Sequence, residues 1–236
     1  ELEVILGNVD SGKMVSEILT KAAAFVDGLR IGIGPGAACI TQEQLGVGRA
    51  QASAVWECAQ TMTAWHKRHG LKIPLIADGG IKRASDVVKA LALGADTVMM
   101  GGLLAGLEES PGEPEFDEEA GHLVKIYRGM GSAEAMAKGG AVRYRVDDTK
   151  IRVVAGKVKR LGHKGSGYIY LPHLIAAVKQ SVHKLGFGNI PALQKKARIV
   201  PNHFQNSLFP LHRRRRFVRY VIHHAIDLAN FVCNSR

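Results

Sequence analysis

An α/β fold built on a parallel sheet is predicted by three features of the chain. Over residues 1–106, short apolar runs alternate with longer stretches of helical period, the rhythm of successive βα units. Each apolar run leads into a glycine-containing turn. The 236 residues, 46% hydrophobic and 22% charged, are enough to bury a full core, so one domain with a tail is the simplest organisation. Strands are expected over residues 3–6, 29–33, 74–77 and 97–100, with helices over 11–26, 50–69 and 84–93. The strand tops read GNV, GIGPG, DGG and MGG, which gathers small and polar residues along the sheet edge where such folds bind ligands.

From residue 107 to about 167 the periodicity weakens, and charged residues alternate with glycine. This stretch is expected to be an excursion over the strand tops, because loops of that length in compact domains are usually lids or binding segments. Helical spacing returns over residues 168–186, where Gly186 and Gly188 stop it. Beyond Gln194 the sequence changes character and shows no clear relation to the body. Residues 195–236 hold nine Lys/Arg against the single acid Asp227, and so supply +8 of the net +11. The charge argument therefore concerns the tail alone.

Three cysteines, Cys39, Cys58 and Cys233, lack metal-ligand spacing and suggest no disulfide framework, which fits a reducing compartment. No apolar run approaches the roughly 20 residues that cross a bilayer, and the first residues lack a basic-then-apolar leader pattern. A cytoplasmic protein without membrane contact is expected. Glu1 as first residue suggests that upstream chain is missing.

The most informative stretch is GIGPGAACITQEQLGVGRAQASAV, Gly32 to Val55. Its glycines let the backbone pass close to a ligand or ion, and Cys39 follows on the same loop, where amides and dipoles can activate a thiol. On composition alone, buried packing is the commoner fate of such a cysteine. The full string changes that balance, because GIGPGAACIT and GVGRAQASAV are similar to GxGxGSxCxT and GxGxPQxxAV of the IMP dehydrogenase and GMP reductase family. Further matches follow in order: IADGGIKRASDVVKALALGADTVMMGGLLAG, EESPGE, YRGMGSAEAM and the pair Arg143-Tyr144.

The resemblance implies the C-terminal half of a TIM (β/α)8 barrel over residues 1–194, with a long active-site flap at about 107–167, followed by an atypical basic tail over 195–236. It implies oxidation of IMP to XMP with NAD, with Cys39 attacking purine C2, Thr41 helping to activate water or the leaving group, and Arg143 and Tyr144 hydrolysing the covalent adduct. Asp78 would bind the ribose hydroxyls, and Gly80, Gly101, Gly102 and Tyr127 would surround the 5′-phosphate. Gly129, Met130 and Gly131 would read the base. Gly32 and Gly34 would lie on the cofactor side, and the carbonyls of Gly34, Gly36 and Cys39 would bind potassium. A homotetramer is also implied.

The alternative is a GMP reductase, removing the amino group of GMP reductively with NADPH. It is favoured by Gly102 where dehydrogenases carry serine, by Asp148 near the reductase's catalytic glutamate, and by Ala155 where a flap Gln or Glu supports water activation. Ala37 also replaces a phosphate-binding serine. The EESPGE and RGMGS strings favour the dehydrogenase. Four strands are half of a barrel, so the other half, carrying an Asp-Ser segment for the nicotinamide and often CBS modules, is absent from these residues and the isolated chain is expected to be inactive. Two readings rank behind these: a non-catalytic partner subunit, and a nucleic-acid binder using Arg213 to Arg216 with Phe217 and Tyr220. Nucleic acid is not the expected partner.

Overall fold

The structure is a computed structural model that describes residues 2–139, 153–202 and 219–223. Four parallel strands, β1 (Ile5–Val9), β2 (Gly28–Ile31), β3 (Leu75–Asp78) and β4 (Thr97–Met99), pair in chain order. Helix α1 (Gly12–Ala22) follows β1, the short α2 (Thr41–Leu45) and long α3 (Gln51–His69) follow β2, and α4 (Ala84–Ala92) follows β3. The expected parallel α/β sheet is therefore present. Ser11 starts α1 by accepting the Met14 N–H, and Gly70 stops α3 in the left-handed conformation at φ +74°.

Register decides which residues are buried. Leu6, Leu29 and Leu75 align across one face, and Gly7, Arg30 and Ile76 across the other. The leucine face continues into Ile31 and Ala77, and it packs on Val15 and Leu19 of α1 and on Val55, Cys58 and Met62 of α3. Each fully buried leucine contributes about 1.5–3 kcal/mol of transfer free energy. The opposite face carries Arg30 and Asp78 toward the C-terminal edge, so the same alternation that builds the core presents charge at the strand tops.

Two expectations shift. The first strand was expected over residues 3–6, with GNV as its turn; it instead runs through Val9, because pairing with β2 continues to Ile31 across an irregularity between Gly7 and Val9. The excursion is not irregular throughout. It folds into an antiparallel sheet of β5 (Glu115–Asp117), β6 (His122–Arg128) and β7 (Val158–Gly162), with a short α5 (Ala133–Ala137) after β6. Its strands escape a hydrophobicity reading because charged residues serve both faces: Arg160 is exposed and bonds Asp117, whereas Lys125 is 1% exposed.

Lys125 Nζ donates to the carbonyls of Leu107 at 2.9 Å, Glu108 at 3.3 Å and Ser110 at 2.5 Å. Within that turn, Glu109 accepts from Ser166 Oγ at 2.7 Å and from the Gly167 N–H, capping α6 (Gly167–Lys184). One buried ammonium thus fixes the turn that joins the excursion to the next helix. The tail also joins the body farther than its composition suggests. After α6 come α7 (Ile190–Lys196) and the antiparallel pair β8 (Arg198–Asn202) and β9 (Arg219–His223). Just before the tail, Leu193 is fully buried and Gln194 Nε2 donates to Ala95 O at 2.9 Å, and within it Ala197 and Ile199 pack against the buried clusters. Arg213 to Arg216 lie outside the described residues, and no helix among the described residues is long and apolar enough to cross a membrane.

Replacing Lys125 with Met leaves three carbonyls without their cationic donor. The expected cost is about 3 kcal/mol, read as a lower urea midpoint with an unchanged slope.

Candidate active site

The loop after β2 cannot hold its own shape by side chains, since residues 32–38 are glycine, alanine, proline and one isoleucine. It is held by backbone bonds from two sides. Within the loop the Cys39 N–H donates to Gly36 O at 3.1 Å. From the excursion, Ala155 O accepts the Ile40 N–H at 2.9 Å and the Lys157 N–H donates to Ala38 O at 2.9 Å, so Cys39 and Gly156 form an antiparallel bridge. The Ala155 and Gly156 N–H groups in turn donate to Gly131 O. A Cβ added at Gly129 would stand 2.5 Å from Ala38 O, so only glycine lets these segments approach so closely.

Cys39 is half-buried at the apex of this loop, with its Sγ 3.0 Å from Thr41 Oγ1. Either group can donate in this contact, so the hydroxyl is placed to hydrogen-bond the sulfur. Cys58 is the opposite case. It is fully buried in α3, and burial pushes its thiol up from 9.0 to about 12. The folded protein keeps that proton where the unfolded chain releases it, so this group's contribution to stability is complete below pH 9 and is lost as pH rises toward about 12.

Asp78 ends β3 beside this loop. Its Oδ2 accepts from Asn8 Nδ2 at 2.6 Å and from Arg30 Nε at 3.0 Å, which fixes the carboxylate and leaves Oδ1 without a protein donor among the described residues. Gln51, at the start of α3, donates to Ile31 O and Asp78 O and so ties the tops of β2 and β3 together. The added-Cβ positions of Gly32 and Gly34 are filled by Gln51 and Gln42, so these two glycines serve the loop's own packing.

The turn after β4 completes the edge. A Cβ at Gly101 would meet Tyr127 Oη at 2.6 Å, and one at Gly102 would meet Ala37 Cβ at 3.0 Å. Burial, and secondarily the charge of Asp78, raises the Tyr127 pKa, which keeps the phenol protonated as a donor. Met130 is half-exposed beside Gly129. The structure thus brings Cys39, Thr41, Asp78, Gly101, Gly102, Tyr127, Gly129 and Gly131 onto one edge. Gly80 has only ordinary contacts to Gln51 and Pro35. Arg143, Tyr144 and Asp148 lie outside the described residues.

Asn8, Arg30 and Gln51 were not singled out from the sequence. An arginine inside an otherwise apolar strand was the available signal for Arg30, whereas Asn8 and Gln51 act through contacts 70 and 27 residues away that no local pattern encodes.

A half-buried cysteine on a strand-top loop of a parallel α/β sheet, with a fixed carboxylate and a glycine turn on the same edge, places the chain among α/β proteins with a thiol at the edge where such folds bind ligands. The IMP dehydrogenase / GMP reductase domain family matches residues 1–205, and the chain belongs to that family. Inosine-5′-monophosphate dehydrogenase 2 of Arabidopsis thaliana is 46% identical over 198 residues, covering 84% of this chain and 37% of the relative. The inosine-5′-monophosphate dehydrogenase of Chlorobaculum parvum is 43% identical over 205 residues, covering 85% of this chain and 39% of the relative. That of Halalkalibacterium halodurans is 37% identical over 200 residues, with 85% and 39% covered. The chain therefore spans well under half the length of these curated relatives.

The two thiols should separate cleanly in native protein at about pH 8: iodoacetamide modifies the Cys39 peptide, and the Cys58 peptide reacts only in denaturant. Thr41→Val removes a hydrogen bond from the sulfur. Cys39 alkylation at one fixed pH is expected to slow about tenfold, as followed by peptide mass spectrometry.

Proposed function

We propose that residues 1–194 are the C-terminal half of a (β/α)8 barrel, with the flap at about 107–167, and that they carry the substrate side of an enzyme oxidising IMP to XMP. The observation that carries this reading is the half-buried Cys39 sulfur, hydrogen-bonded to Thr41 on a loop bridged to the 155–157 segment. Four parallel strands, the first three each followed directly by a helix and the fourth by the excursion and then α6, match half of the barrel's set. The partial coverage of the relatives fits the same reading.

In this reading Asp78 accepts hydrogen bonds from the ribose hydroxyls through its open oxygen, the turns at Gly80 and Gly101-Gly102 with Tyr127 hold the 5′-phosphate, and the backbone of Gly129, Met130 and Gly131 reads the base. The Cys39 thiolate adds to purine C2 as the C2–N3 double bond opens and N3 takes the electron pair and a proton, and C2 then gives up hydride as the double bond re-forms. Water adds at C2, the carbon–sulfur bond breaks, and XMP leaves with the thiol restored. Thr41, hydrogen-bonded to the sulfur, helps to activate the water or the leaving group. Arg143 and Tyr144 are assigned to water activation.

The cofactor is proposed to be NAD, which when bound supplies the hydride acceptor. One group on this chain fits it: Arg30 is about a third exposed beside Asp78, and its terminal nitrogens have no partner among the described residues. Gly32 and Gly34 fit poorly as points of close approach, because Gln51 and Gln42 fill the space. Potassium suits the donor set of neutral turn carbonyls from Gly34, Gly36 and Cys39, and Gly36 O, although it takes the Cys39 N–H, retains a lone pair. Further oxygens must come from elsewhere, in keeping with a proposed tetramer.

Reduction of GMP with NADPH is the second reading. It is favoured by Ala155, whose carbonyl bonds the Cys39 loop at Ile40 and whose methyl group offers nothing to activate water.

A purine monophosphate bearing a leaving group should add one mass to the Cys39 peptide of wild-type protein, whereas Cys39→Ala should gain none while binding IMP within about twofold of wild type. An adduct that persists in Cys39→Ala would overturn the assignment. Paired assays of the protein completed by its missing barrel half, IMP with NAD against GMP with NADPH, separate the two reactions.

A further inference from the structure

The proposed phosphate cradle lacks charge. Ala37, Gly101 and Gly102 present amides and a methyl group but neither a hydroxyl nor a cation, and the side-chain donor that touches the added-Cβ positions of both glycines is the neutral Tyr127 phenol. A phosphate monoester carries about −1.5 to −2 charges at pH 7. Such a dianion, set near the carboxylate of Asp78, calls for a positive partner.

The excursion sheet supplies one. In the antiparallel pairing of β6 with β7, Tyr127 lies directly opposite Lys159, and Lys125 opposite Leu161, so these four side chains share one face. That face is turned to the strand tops. A Cβ at Gly102 would lie 3.8 Å from Tyr127 Cε1 and 3.9 Å from Leu161 Cδ1. Lys159 stands between these two markers in the register, across from one and two residues before the other. It is partly buried, whereas Arg160, on the opposite face, is exposed and bonded to Asp117. Lys159 takes part in no ion pair among the described residues.

We infer that Lys159 is a substrate-binding residue that contacts the 5′-phosphate over the Gly101-Gly102 turn and makes the site selective for the monophosphate over the nucleoside. This rests on the reading of that edge as a purine monophosphate site. A lysine suits the task because its ammonium is a compact charge on a flexible stem that reaches a phosphate without fixed fork geometry.

The test is calorimetric titration of the full chain with IMP and with inosine, for wild type, Lys159→Met, Lys159→Arg and Arg160→Met, each checked for wild-type circular dichroism. Lys159→Met is expected to weaken IMP about tenfold to hundredfold and to leave inosine within about twofold. Lys159→Arg should retain most of the IMP affinity, and Arg160→Met should match wild type. If wild type binds IMP and Lys159→Met binds it equally well, the Lys159 assignment fails while the nucleotide site stands. An equal loss in Arg160→Met also overturns it, since a general charge effect would then account for both. If folded wild-type protein binds neither compound, the underlying reading fails and the assignment with it.

Discussion

Two hydrogen bonds bring the site together: the Ile40 N–H to Ala155 O, and the Lys157 N–H to Ala38 O. They join the glycine-rich loop after β2 to a segment more than a hundred residues later. Neither partner has side chains able to hold the arrangement, so backbone groups must satisfy one another. Everything chemically distinctive sits at or beside this junction. Cys39 lies between the two bonded positions, Thr41 begins the next helix, and Gly129 and Gly131 are drawn in because their own backbone bonds to the 155–157 segment.

The requirement for close backbone approach also explains the glycine content of the region without appeal to a ligand at every position. Gly129 is needed by Ala38, Gly101 by Tyr127, and Gly32 by Gln51 and Asp78. A glycine motif read from sequence therefore mixes two demands, packing of the chain on itself and room for something bound. Gly80 differs, since an added Cβ there would meet only contacts of 3.8 Å or more. Among the strand-top glycines it is the one whose space the protein leaves open, although its φ of +80° still disfavours a side chain.

The sequence made the parallel sheet legible because its helix-facing residues, Leu29, Ile31, Leu75 and Ala77, alternate or cluster in short runs bounded by glycine. Cys39 and Asp78 were legible because they follow such runs directly. The excursion sheet was not, since Lys125 is buried through a charged side chain and a hydrophobic pattern counts it as surface. Nor was the docking of the start of the tail: Ile199, beside Val200 in a stretch opened by lysine and arginine, packs against the core because α4 and the ends of β3 and β4 are nearby in space. Asn8 was read as a turn residue because register with β2, which carries pairing past it to Val9, is a property of two strands together.

The same strand alternation orders the charges of the site. Asp78 is fixed on the open face of the central sheet by Asn8 and Arg30, while Lys159 belongs to the inward face of the excursion sheet across the strand tops. In the proposed site a fixed carboxylate and an ammonium with no ion pair among the described residues border one edge, a dipolar frame in which a molecule with a hydroxylated sugar and an anionic end would have one favourable orientation. The sulfur of Cys39 lies on the loop between β2 and β3, so the ring of a molecule held in that orientation is the part left to meet it. Position in this site is set by two sheets of different register. The backbone junction at Cys39 and Gly156, with Lys164 donating to the Leu103 and Gly106 carbonyls, ties the two together.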